Sequence, residues 1–273
     1  MASGCSVLVI QNPLPRCGRF NIGENRVTGT SPNGNPSADQ TPSQTGGHSF
    51  HEFGLDQLIE LKKKGFNPSC IFDVGASDGR WSKAVMEYFP EATFHLFEPQ
   101  VDTSEYQQTM SALIDNHPNT TLHQAAVGAE VGTIALHLLE DHPEGTTSLV
   151  PNNRERYTQV ETPQLTLDSM IDQGVAVPQL VKMDIQGGEL EALRGFENNL
   201  SQVDLLLLET WFSRAYGPTT PLIHELIEFL VPYGFYMFEL GTCYRNEAGS
   251  LISQDFFFVN KNTSSDITND FYF

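Results

Sequence analysis

The spacing of hydrophobic positions changes along this chain, and the changes mark its elements. Phe53, Leu55, Leu58, Ile59 and Leu61 fall on one helical face that stops at Gly65. Strand patterns are then expected at 70–74, 93–98, 120–124, 132–139, 179–184 and 203–209, and helices near 79–89, 103–116, 188–198 and 221–231. Val203 and Leu205 to Leu208 form a nearly continuous apolar run, as a parallel strand covered on both faces requires. Two last strands, 235–240 and 255–260, are joined through a turn-rich stretch with Asn246 and Gly249 and should pair as an antiparallel hairpin.

Alternating strands and helices imply βαβ units. The fold class is therefore α/β: a mostly parallel sheet with helices on both faces. Residues 21–49 are dominated by Gly, Ser, Thr, Asn and Pro, too few apolar side chains to offset the entropy of ordering. The expected organisation is a disordered or loosely attached segment at 1–49 and a folded domain at 50–273. The early apolar run from Val7 to Ile10 lacks a basic region ahead of it and is interrupted by Pro13 and Pro15, which favours a frayed tail or edge strand over a signal peptide.

Charge narrows the partners. With 15 basic and 34 acidic residues the chain carries −19, which repels phosphate backbones and anionic membranes alike. Neither nucleic acid nor a membrane is an expected partner. The basic run Lys62 to Lys64 sits at a helix end, where it complements the dipole. Cys5, Cys17, Cys70 and Cys243 lack disulfide or metal spacing, so the default compartment is cytoplasmic.

The chemistry concentrates in Ile71-Phe-Asp-Val-Gly-Ala-Ser-Asp-Gly79, a strand that ends in an acidic residue and turns through glycines into a helix. Ligands of open α/β sheets bind outside the carboxyl ends of the strands. A dinucleotide loop needs a second glycine where this chain has Ser77, and an acidic neighbour such as Asp73 opposes a pyrophosphate. S-adenosylmethionine has no phosphate and carries a sulfonium and an ammonium, so Asp73 suits it. Glu98, in Phe97-Glu-Pro99 at the end of the next strand, can accept both ribose hydroxyls of an adenosine.

Taken in order, several segments resemble the FkbM-type methyltransferases over roughly residues 68–260. They are Asp73 to Gly79, Phe97 to Pro99, Ala125 to Gly128, Thr166 to Asp168, Lys182-Met-Asp-Ile-Gln-Gly-Gly-Glu189 and Asp255 to Val259. The resemblance implies a Rossmann-like class I methyltransferase fold with a seven-stranded sheet, S-adenosyl-L-methionine as cofactor, and methyl transfer to oxygen on a small acceptor such as a sugar or secondary metabolite. It assigns Asp73, Gly75, Ala76, Ser77 and Gly79 to the cofactor loop, Glu98 to the ribose and Ala126 to the adenine. Many members of the family have Glu where this chain has Gln186.

A hydroxyl acceptor must lose a proton. Asp184 and Glu209, at strand ends, are the candidate catalytic carboxylates, and Lys182 could pair with one of them or merely sit on the sheet. Glu189 reads as a charge at a helix N-terminus, His224 as packing, and His142 as a loop residue over the site. No metal is assigned. The acceptor pocket should come from loops around 140–160 and 211–221, with Arg154, Arg156, Trp211, Arg214 and Tyr216. The competing classes are a non-catalytic S-adenosylmethionine-binding module and an NAD-dependent oxidoreductase. Oligomeric state and acceptor identity are not encoded in any pattern here.

Overall fold

The computed structural model describes residues 54–101, 104–139, 145–151, 157–246 and 248–264. The segment 1–49, the domain start at 50, His142, Arg154 and Arg156 lie outside the described residues.

The chain runs α1 (Leu55–Lys63), β1 (Cys70–Val74), α2 (Arg80–Met86), β2 (Thr93–Phe97), α3 (Ser104–Asn116), β3 (Thr120–His123), β4 (Ala126–Val127) and β5 (Gly132–Leu139). It continues through β6 (Tyr157–Leu165), α4 (Leu167–Asp172), β7 (Leu180–Met183), α5 (Glu189–Arg194), β8 (Leu205–Trp211), α6 (Ile223–Leu230), β9 (Phe235–Arg245) and β10 (Leu251–Asn260). Seven strands form one sheet in the order β3-β2-β1-β7-β8-β10-β9. Of these, β10 runs antiparallel to both neighbours and the other pairings are parallel. The expected Rossmann-like sheet with its antiparallel hairpin is present.

Period-two alternation sends successive side chains of each strand to opposite faces, and each face meets its own helices. Leu58 of α1, Val85 of α2 and Met110 of α3 pack with Ile71, Leu180, Leu207 and Phe257. On the other face Leu167, Leu193 and Leu226, from α4, α5 and α6, pack with Phe72, Val181, Leu206 and Phe258. All seven residues of β8 are buried, which accounts for its unbroken apolar run.

The pattern of hydrophobic residues misses β6, β4 and α4. Most of β6 is exposed and it contains Pro163, so no apolar alternation marks it. It pairs antiparallel with β5 and parallel with β4 in a separate three-stranded sheet beside the cleft. The last two strands are longer than expected, 11 and 10 residues, because pairing carries them beyond the apolar stretch.

Candidate functional site

At the carboxyl ends of β1, β2, β7 and β8 the loops enclose a cleft of about 1020 Å³. Gly75, Ala76, Ser77, Glu98, Ala126, Asp184 and Glu209 all line it, so residues singled out in separate segments converge in space. Trp81 also lines the cleft while being 97% buried, as 3% relative exposure implies, so it serves packing and wall together.

The loop after β1 is held by its own backbone. The Gly75 and Ala76 N–H groups donate to the Phe97 carbonyl at 3.0 and 3.2 Å, and Gly79 N–H donates to the Ala76 carbonyl at 2.8 Å. Ser77 N–H donates to Glu98 Oε2 at 2.8 Å, and Arg80 N–H to Asp78 Oδ1 at 3.2 Å. These donors are spent inside the protein, so the loop does not present the row of free N–H groups that a pyrophosphate requires. Gly75 and Gly79 both take left-handed backbone conformations, φ +79° and +80°. Ser77 does the same at φ 52°, which turns its N–H toward Glu98.

Glu98 is 5% exposed and accepts one N–H on each oxygen, from Ser77 on Oε2 and from Gln100 on Oε1 at 2.9 Å. Burial pushes its carboxyl up to about 7 against the pull of those two N–H groups. A carboxylate offers about four lone-pair sites, so two remain for paired hydroxyls such as those of a ribose. The residues present thus fit an adenosine bearing no phosphate.

Asp73 stands elsewhere than the sequence suggests. Its carboxylate is fully buried and is not part of the cleft lining. Oδ2 accepts the Ser82 hydroxyl at 2.7 Å, and Oδ1 pairs with Lys182 Nζ at 3.2 Å. The side chain is enclosed between α2 and β7 and has no face on the cleft. Lys182 takes the position that sequence reasoning left open: it pairs with Asp73, lies 3.8 Å from Asp184 and donates to the Gly75 carbonyl at 2.7 Å. The two cations on the described cleft wall, Arg80 and Lys182, are thus both engaged by carboxylates.

The end of the cleft at β7 and β8 is built around Gln186, which holds a left-handed φ of 55°. Its amide nitrogen donates to Asp184 Oδ1 at 2.7 Å and Glu209 Oε2 at 3.2 Å, and its amide oxygen accepts the Tyr216 hydroxyl. Glu209 also accepts from Ser253 Oγ at 3.0 Å. Burial, with the nearby Asp184 charge, holds Glu209 well above the usual carboxylate range. Glu189 opens α5, at the helix N-terminus as expected, and is buried: Oε1 accepts Ile185 N–H at 3.0 Å and Gly187 N–H at 3.2 Å, fixing the turn that carries Gln186. Sequence reasoning missed Gln186 and Ser253 as site-building residues; Gln186 was visible only as a departure from a motif.

From the expected acceptor loops, Trp211 and Tyr216 line the cleft, with their rings edge-on at 5.0 Å. Arg214 does not; its guanidinium binds the Thr220 carbonyl and pairs with Glu225 at 3.0 Å. His224 is exposed on α6, not packed as expected. Among the described residues no group of three or more His, Cys, Asp or Glu side chains could hold a metal ion.

The profile of the Methyltransferase FkbM domain matches residues 73–237, more than half of the chain. The chain belongs to the FkbM methyltransferase family. The matched span begins at Asp73 and includes the glycine loop after β1, Glu98, Asp184 and Glu209. Among curated relatives of this methyltransferase, Methyltransferase sdnD of Sordaria araneosa is 26% identical over 192 residues, covering 59% of this chain and 73% of that protein. Methyltransferase 1 of Beauveria bassiana is 25% identical over 183 residues, covering 60% and 73%. A crystal structure of Methyltransferase FkbM from Methylobacillus flagellatus shares 16% identity at a TM-score of 0.44, covering 69% of this chain and 43% of that one. This chain thus matches less than half the length of that one. No helix among the described residues is long and apolar enough to cross a membrane.

Proposed function

We propose that the chain is an S-adenosylmethionine-dependent O-methyltransferase acting on a small, neutral hydroxylated acceptor, a sugar or secondary metabolite. The observation that carries the reading is Glu98: a buried carboxylate with two N–H partners and spare lone pairs, beside a glycine loop whose donors are already used.

S-adenosylmethionine, when bound, supplies an electrophilic methyl carbon on a sulfonium. The protein's part is orientation and proton handling. Glu98 would hold the ribose hydroxyls, Gly75, Ala76 and Ser77 would form the floor beneath the rest of the cofactor, and Ala126 would abut the adenine. Positioning of two reactants in line can lower a barrier by roughly 7–11 kcal/mol in favourable cases.

Asp184 is the better base for the acceptor hydroxyl. It lines the cleft with a side chain 42% exposed, whereas Glu209 is buried and retains its proton to higher pH. Glu209 then serves by fixing Gln186 and Ser253 around the acceptor. The described wall of the acceptor half has aromatic, aliphatic and acidic side chains and no free cation, which suits a neutral acceptor over an anionic one.

Thermal unfolding with S-adenosylhomocysteine and, separately, NAD tests the cofactor. Saturation at 100 times the dissociation constant stabilises by about 2.7 kcal/mol, and each kcal/mol shifts the midpoint of a domain this size by ~2–4 °C. A shift with S-adenosylhomocysteine that Glu98→Ala abolishes is expected; no shift, or one with NAD, sinks the reading. Radiolabel transfer from S-adenosylmethionine to hydroxylated compounds, with and without a carboxylate substituent, tests the acceptor class.

A further inference from the structure

Lys182 joins parts of the site that the chain keeps far apart. It is the register partner of Asp73 on the neighbouring parallel strand, and both side chains rise on the face of the sheet covered by α1, α2 and α3. From there one ammonium reaches the Asp73 carboxylate at 3.2 Å, the Gly75 carbonyl at 2.7 Å and, at 3.8 Å, Asp184. Asp73 is itself anchored to α2 through Ser82. We propose that Lys182 is a positioning residue for cofactor binding, whose ammonium holds the Gly75 carbonyl and with it the loop between β1 and α2. The proposal rests on the reading of this cleft as an S-adenosylmethionine site.

The physical reason lies in what the pair does not do well. A buried ion pair is a weak stabilising device, and well-packed apolar residues often replace one without loss. Stability therefore does not explain a lysine here. Its contact with a loop carbonyl does: Gly75 has left-handed backbone, its N–H is committed to Phe97, and its carbonyl is fixed by Lys182. The peptide planes on both sides of the Gly75 Cα are thereby tied, and the cleft floor is set before ligand arrives. Lys182 keeps its proton despite burial, because the Asp73 and Asp184 carboxylates raise it.

Calorimetric titration with S-adenosylhomocysteine on wild type, Asp73→Asn, Lys182→Met and the double variant decides the matter, alongside circular dichroism and thermal unfolding. Lys182→Met alone leaves Asp73 buried and unpaired and should unfold easily. The double variant removes both charges while keeping volume, and should fold. Its affinity should fall at least ~10-fold, the loss expected for one charge-assisted hydrogen bond. Asp73→Asn, which leaves the ammonium on Gly75, should lose less. A merely structural role would not move the pH profile. Glu98 is faced by Lys182, by Asp73 and by the Ser77 and Gln100 N–H groups, and of the two charges Lys182 weighs more. The acid limb of binding should therefore shift to higher pH in the double variant. A folded double variant within twofold of wild type, an Asp73→Asn loss equal to the double's, or a double variant that cannot fold overturns the proposal. Wild type that fails to bind S-adenosylhomocysteine overturns the cofactor reading instead, a separate result.

Discussion

A side chain on Gly75 would place its Cβ 2.0 Å from the carbonyl oxygen of Asp184. The loop after β1 and the carboxyl end of β7 therefore touch through backbone, with no room for a methyl group. Because φ at Gly75 is +79°, an L-residue would be strained there as well.

Gly75→Ala should consequently separate β1 from β7 at their carboxyl ends. The expected cost is about 1–3 kcal/mol from the conformation, with the clash in addition. Thermal unfolding should show a lower midpoint, and S-adenosylhomocysteine should no longer raise it. A variant that binds as wild type does would mean that the loop is not the cofactor floor.

Glu98→Gln removes the charge that strengthens hydrogen bonds from hydroxyls while keeping its shape. Losing part of two charge-assisted bonds of about 1.5–3 kcal/mol each predicts a drop of ~10-fold or more in S-adenosylhomocysteine affinity. In wild type the same affinity should weaken as pH falls through about 7, where Glu98 takes up its proton. Calorimetry from pH 6 to 8.5 checks both, and the glutamine variant should lack the pH step.

Stability should move the other way with pH. Burial pushes Glu98, Glu189 and Asp255 each up to about 7, above their ordinary 4.5, 4.5 and 3.8. Between those values the folded state holds protons that the unfolded chain has released, so stability is lost as pH rises through that interval. Each group contributes on the order of 3–4 kcal/mol at most. Asp78 and Glu225, which hydrogen bonds hold low, stay ionised throughout, whereas His95 and His123, whose imidazoles burial pushes down, His123 to about 4, oppose the trend below pH 6.5 and are outweighed by the three carboxyls. The ligand-free protein should melt several degrees higher at pH 5 than at pH 8.

Gln186→Glu introduces the residue that the family resemblance leads one to expect at this position and tests the proposed acceptor half. The amide donates to Asp184 and Glu209; a third carboxylate would remove those donors and add repulsion. A loss of about 1–3 kcal/mol is expected at pH 8, largely recovered at pH 5, where carboxyls protonate. The shift produced by S-adenosylhomocysteine should persist, since Gln186 belongs to the other half of the cleft. Abolition of that shift would show the two halves to be inseparable.

Local pattern carried much of this protein's description. Strand periodicity marked most of the large sheet, because burial on both faces leaves unbroken apolar runs such as Leu205 to Leu208. The glycine loop and Glu98 were legible because their chemistry depends on residue type at short spacing. What stayed hidden is what pairing decides. The mostly exposed β6 left no hydrophobic trace. Asp73 could not be known to turn inward until Ser82 and Lys182, 9 and 109 residues away, closed around it. Gln186 gained its meaning only when β8 brought Glu209 and the following loop brought Tyr216 against it. A sequence fixes which groups are available and how each strand alternates; which carboxylate faces the cleft and which is paired beneath it depends on register between strands, and register is set by the whole packed sheet.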